Sequence, residues 1–364
     1  MMHCRSLRPL RATLLAGAIL GALLTGDGAA HDARAACVAA DIIDSDCGEV
    51  GPCIITKNVT IDDGCVLDFG SRDVQVDSGK ITLDENAVVF KTGNFTVTRK
   101  GTITGNGTVG GSFTVLAAGD IIIERHTSQT GTVRMLGTDM GGTIDFEATG
   151  DIRIDGVLRA DNDGNAADAS GGSIRLDAGG DIAIEAADPV KVSAQGGSQA
   201  VGGSLSLVAA GRIDIREQLE ALGGDGGSIE IRAGEDVVID DALQNAAIGR
   251  GGNGGRTGVT AGASIAINGL LMNQGPDANI GSNGGMVALD AGGDIIVREQ
   301  VTTRSGPDAG GGIIEATAGG SIDIQASGEL NVDGSGLLSV AGDMRLSAGV
   351  DVLIAGELLA SGGA

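Results

Sequence analysis

The chain has no tryptophan and no tyrosine, and five phenylalanines among 364 residues. Interlocking aromatic rings therefore cannot fill its core, which must be built from Ile, Leu, Val and Ala in small, similar units. The same absence removes the usual aromatic platforms for sugar rings. Basic charge is also scarce: 24 Lys and Arg stand against 48 Asp and Glu, a net charge of −24. That balance excludes nucleic acid as a partner and favours cations and basic surfaces. There are three histidines, two of them before residue 35, leaving His126 in ERHTSQT for any Ser-His-Asp or Cys-His chemistry. A lone surface histidine is the simpler reading. No paired glutamates stand out for glycoside hydrolysis.

Long apolar runs are missing except for LLAGAILGALL at 14–24, which is too short to span a membrane securely. Arg5, Arg8 and Arg11 precede it and Ala33-Arg34-Ala35 follows, which predicts a signal peptide over 1–35. The mature chain is then secreted or held at the cell surface, without a transmembrane segment. A lipoprotein anchored at Cys37 is the alternative, although Arg34 stands where that signal wants a branched apolar residue. Cys37, Cys47, Cys53 and Cys65 remain after cleavage. In an oxidising compartment they predict two disulfides stapling an N-terminal cap, in any of three pairings. Zinc is the competitor, but no histidine lies near and the spacings form no two C-x-x-C pairs.

What the chain has in abundance is glycine, 65 residues of it, without the every-third-residue period of collagen. Much of it falls in a recurring block. Copies run GGSFTVLAAGDIII from Gly110, GGTIDFEATGDIRI from Gly141, GGSIRLDAGGDIAI from Gly171, GGSLSLVAAGRIDI from Gly202 and GGSIEIRAGEDVVI from Gly226. A degenerate copy, GASIAINGLLMNQG, is placed at Gly262, followed by GGMVALDAGGDIIV from Gly284, GGIIEATAGGSIDI from Gly311 and AGDMRLSAGVDVLI from Ala341. Irregular intervals around a constant block mean that one part of each unit is structural and another tolerates insertion.

Inside the block the period is two: Ile174 and Leu176 face one way, Arg175 and Asp177 the other, and Ile182 and Ile184 repeat the pattern. A third alternation follows in most units, such as Leu158-Ala160 and Leu330-Val332, before a loop rich in Gly, Asp, Asn and Ser. Three short strands per unit cannot bury their inner faces alone, so units must stack. The fold class is all-β: a right-handed three-sided parallel β-helix, or solenoid, with about 11–12 coils at the hydrogen-bonding spacing of strands and a disulfide-stapled N-terminal cap. Residues 36–109 are assigned to the cap and first irregular coils, and 110–364 to the regular repeats. After the last coil no cap sequence is evident, which leaves an imperfect last turn, a longer fibre, or end-to-end association with another molecule.

Two acidic features invite a functional reading. Asp120, Asp151, Asp181, Asp236, Asp294 and Asp351 share one block position, interrupted by Arg212 and Ser321. Stacked, they form an edge ladder. Each carboxylate either accepts from the backbone of its own corner or makes a row of weak calcium contacts. The second feature is DNDGNAAD at 161–168. Asp161, Asp163, Asn165 and Asp168 offer oxygen ligands around a glycine, the pattern calcium prefers, although Gly172 stands where an EF-hand would place its Glu. Calcium is the one cofactor suggested. Residues 249–258, GRGGNGGRTG, lack the G-K-[ST] of a phosphate loop and read as a long exposed loop.

The blocks GGSIRLDAGGDIAI and GGMVALDAGGDIIV resemble the repeats of filamentous-haemagglutinin-like bacterial surface proteins. The resemblance covers about 110–364, and implies a right-handed β-helix exported as an adhesin or surface fibre. It leads to the expectation of a non-enzymatic exported surface protein, an adhesin module or structural spacer of a bacterial envelope or extracellular matrix, with a polysaccharide or other cell-surface ligand as partner. The alternative is a calcium-dependent polysaccharide lyase or other carbohydrate-active β-helix enzyme, using the 161–168 loop with Arg153, Arg159 or Arg175 nearby.

Overall fold

Each repeat block is laid down as a six-residue strand, a tight corner and a three-residue strand, as in Ser173–Ala178 followed by Ile182–Ile184. A third short strand, such as Lys191–Ser193, completes the turn before the chain rises to the next. The computed structural model describes residues 51–61, 64–83, 87–126, 129–162, 167–185, 191–249, 252–276 and 281–363. All fall in the unit Cys37–Ala364. The signal peptide expected over 1–35 lies outside the described residues, as do cap residues 36–50.

The strands assemble into three parallel sheets of 12, 12 and 11 strands, a right-handed solenoid. The first sheet runs from Cys53–Ile55 to Val352–Ile354, the second from Val59–Ile61 to Glu357–Leu359, the third from Val66–Asp68 to Asp343–Ala348. Nine turns carry the six-residue strand of the repeat block, from Ser112–Ala117 onward, and shorter turns precede them. Strand alternation sets which residues become the core. In the first sheet Ile121, Ile152, Ile182 and Ile213 stack in register, and in the third Phe146, Leu176, Leu207 and Ile231 do so. All eight are fully buried. Burial of each such side chain stabilises by about 1.5–3 kcal/mol, repeated turn after turn. All five phenylalanines sit in one N-terminal cluster, with Phe90 and Phe113 rings 5.3 Å apart edge to face and Phe113 and Phe146 6.1 Å apart.

One expected pairing of the cap disulfides is corrected: Cys53 and Cys65 are each disulfide-bonded, but they are not close to one another and no disulfide joins the two. Cys53 opens a strand of the first sheet, whereas Cys65 stands just before the Val66–Asp68 strand of the third. Both are buried in the core, where the alternation of their segments directs them. Cys37 and Cys47 lie outside the described residues.

The degenerate copy at Gly262 is also corrected. The true copy is GGRTGVTAGASIAI from Gly254, with strands Arg256–Ala261 and Ile265–Ile267 paired in register with their neighbours on both sides. Thr257 hid it by taking an inner position that is Ile or Leu in most copies. Its hydroxyl donates to Asn273 Oδ1 at 2.9 Å, and Asn273 Nδ2 donates to the Met286 carbonyl at 2.7 Å. This buried amide patch continues in Asn245, whose Nδ2 donates to the Arg256 carbonyl at 2.7 Å. The segment 249–258 is therefore part loop and part strand.

The insertions between the second and third sheets stack as well. Gly223 bridges Ala247 and Pro307 bridges Ser335, both parallel. Gly224 N donates to Gly197 O at 2.8 Å, and Asp308 N to Ser335 O at 2.8 Å. The variable loops thus form a flange in which the backbone of one turn satisfies that of the next.

Candidate functional site

The recurrent corner acid has a definite task. Asn94 N donates to Asp73 Oδ1 at 2.7 Å, Asp120 N to Asn94 Oδ1 at 2.7 Å, Asp151 N to Asp120 Oδ1 at 2.9 Å, Asp181 N to Asp151 Oδ1 at 2.8 Å and Arg212 N to Asp181 Oδ1 at 2.7 Å. After Arg212 interrupts the row it resumes, with Ser264 N donating to Asp236 Oδ1 at 2.9 Å and Ser321 N to Asp294 Oδ1 at 2.7 Å. The acceptor serves the next turn's amide and not its own corner, which corrects the expected local turn. Asn94 and Ser264 fill the same place because an amide or hydroxyl oxygen accepts equally well. A second row runs through the flange: Asn253 N donates to Asp225 Oδ1 at 2.8 Å, Asn283 Nδ2 to Asn253 Oδ1 at 2.9 Å and Gly310 N to Asn283 Oδ1 at 3.1 Å.

The four residues expected to hold calcium fare differently. Asp161 is 1% exposed and its carboxylate is engaged: Arg159 Nε donates to Oδ2 at 2.6 Å, Ser193 Oγ to Oδ2 at 2.9 Å and Gln195 N to Oδ1 at 2.8 Å. It ties its loop to the next turn. Asp168 is exposed, and Asp163 and Asn165 lie outside the described residues. Among the described residues no group of three or more His, Cys, Asp and Glu is placed to hold a metal ion.

The arginines considered beside that loop are each held by carboxylates. Arg153 Nε lies 2.9 Å from Asp155 Oδ1, a hydrogen bond that raises its pKa. Arg175 Nη1 lies 3.2 Å from Asp145 Oδ1, one turn away, and Arg175 also bonds Asp177 in its own strand. Arg216 sits between Asp214 and Glu185, whose charges raise its pKa. Guanidinium groups held this way keep their protons and are poorly suited to abstract one, which needs the deprotonated form. His126 pairs with Gln129 in a small antiparallel hairpin between turns.

An open cleft of about 570 Å³ lies on the flange, lined by Ser198, Gln199, Gly224, Asp225, Ile248, Gly249 and Gly252. Ser, Gln and Asp side chains with bare glycine backbone and a half-exposed Ile248 offer hydrogen bonds and one apolar contact. Such a surface suits a polar, hydroxyl-rich ligand. Sequence reasoning missed it because its walls come from three different insertions, which align only once the turns are stacked.

No family model matches the chain, and no curated protein matches it.

Proposed function

We propose that the protein is a non-enzymatic exported surface protein, a stiff spacer or adhesin module of a bacterial envelope or extracellular matrix. The observation that carries this reading is the use made of the polar side chains. The corner acids, Asp161 and outer arginines such as Arg175 and Arg216 bond from turn to turn, where they stiffen the stack. The likeness of the repeat blocks to filamentous-haemagglutinin-like surface proteins supports it, as does the flange cleft, which is offered as the contact for a polysaccharide or other cell-surface ligand.

The experiment presents the purified chain from residue 36 onward to a panel of host and microbial polysaccharides, with and without calcium, recording retention and unsaturated or reducing product together. Retention without product is the expected result for an adhesin, and loss of retention in Gln199→Ala and Asp225→Ala variants places the contact in the cleft. Calcium-dependent product formation overturns the proposal in favour of a lyase.

A further inference from the structure

The outer face of the second sheet carries charge of one sign in its earlier turns. Alternation buries Ile81, Ile103 and Val133 and turns their neighbours outward. One outward column runs Thr60, Thr82, Thr104, Arg134 and Arg159, and beside it stand Lys80, Thr102 and Thr132. Followed from strand to strand, the first column reaches no carboxylate before Glu220. The corner that leads into the first three of these strands adds Lys57, Arg99 and Lys100, and Asp77 is its one acid among the described residues. Lys57, Lys80, Arg99, Lys100 and Arg134 are all exposed. The state of these cations sets them apart from those further along the chain. Arg153, Arg175, Arg216 and Arg232 each lie within 3.2 Å of a carboxylate oxygen, whereas Lys80, Arg99 and Lys100 have no ion-pair partner among the described residues.

We propose that this face binds a linear polysaccharide bearing oxyanion groups, carboxylate or sulfate. Charge complementarity chooses the occupant. Unpaired cations on successive strands, about 4.8 Å apart per turn, match a row of anions along an extended chain. Threonine hydroxyls between them donate to and accept from sugar hydroxyls. The outward columns from Thr60 to Arg134 present no aromatic or apolar side chain, the kind of anchor that holds a folded protein partner. The net charge of −24 acts weakly here, because charges beyond a Debye length of about 8 Å are screened at physiological ionic strength. The proposal rests on the surface-protein reading for its class of ligand, and sets the contact on a different face from the flange cleft.

Retention of the full chain is measured on polygalacturonate, dextran sulfate and neutral dextran over a salt gradient, without calcium. Retention on a polyanion and not on neutral dextran, falling as salt rises, is the expected result, and the two polyanions separate carboxylate from sulfate. Lys80→Gln with Lys100→Gln should weaken that binding by roughly tenfold. Arg232→Gln with Arg345→Gln removes equal charge from the third sheet and should leave binding unchanged, as should the cleft variants Gln199→Ala and Asp225→Ala. A chain that no polyanion retains, or retention that ignores the two lysines or falls equally with the two arginines, overturns the proposal. Retention of a neutral polysaccharide through the cleft alone overturns it as well while leaving the surface-protein reading in place, and that reading falls separately, on calcium-dependent product.

Discussion

Asp151 occupies the space in which a side chain on Gly180 would stand. Its Oδ1 accepts from Asp181 N at 2.8 Å, and a Cβ placed on Gly180 would collide with that same oxygen. The acid of one turn and the glycine of the next are therefore one device, repeated where Asp120 meets Gly150 and Asp181 meets Gly211. The prediction follows from the pairing. Gly180→Ala should destabilise by about 1–3 kcal/mol through overpacking, and Asp151→Ala by about 0.5–1.5 kcal/mol through loss of the acceptor. Asp151→Asn should be close to neutral, as Asn94 already serves in that role. The double variant Asp151→Ala with Gly180→Ala should cost less than the sum of the two, since removing the carboxylate opens the space. Urea unfolding of the four proteins measures the coupling, and strict additivity would sink the idea.

Asp161 should behave as a buried structural anion. Asp161→Ala leaves Arg159 without its counter-charge and removes the acceptor of Gln195 N and Ser193 Oγ. A loss of about 3–5 kcal/mol is expected, read from thermal or denaturant unfolding. Because this carboxylate is already engaged, the melting temperature should be the same in calcium and in chelator. A calcium-dependent rise abolished by Asp168→Asn would reinstate the metal site.

Arg175 lies across from Asp145 and within 4.0 Å of Glu147 Oε2, while Glu147 and Asp177 face each other in register. It thus offsets a like-charge pair. Arg175→Ala should destabilise by about 0.5–1 kcal/mol at low ionic strength, and the difference should shrink in high salt. An effect independent of salt would point to packing of its aliphatic stem.

The inner columns leave least tolerance. Ile182→Asp buries a carboxylate among Ile152, Ile213 and the adjoining core, with no cation in the column. Several kcal/mol are expected to be lost, enough to abolish cooperative unfolding of the neighbouring turns. By contrast Ala183→Asp, on the outer face of the same strand, should change stability by less than about 0.5 kcal/mol. Hydrogen exchange of the two variants separates the cases.

The alternation of Ile174, Leu176, Ile182 and Ile184, repeated with glycine corners, was enough to specify strands, their inner faces and their stacking, because a period of two has one burial solution when units repeat. The Asp145–Arg175 pairing followed from the same register. Other features were not legible. Thr257 and Asn273 broke the apolar pattern and concealed a turn, since their hydrogen bond forms only when the two ends of that turn are folded back against each other. The destination of the corner carboxylates, the commitment of Asp161 to Ser193 and Gln195, and the cleft between three insertions all join residues about 25 to 50 positions apart in the chain. Local sequence determines the direction in which each side chain points. What that side chain meets is decided by the length of every insertion between one turn and the next, and only the stacked structure sets those lengths side by side.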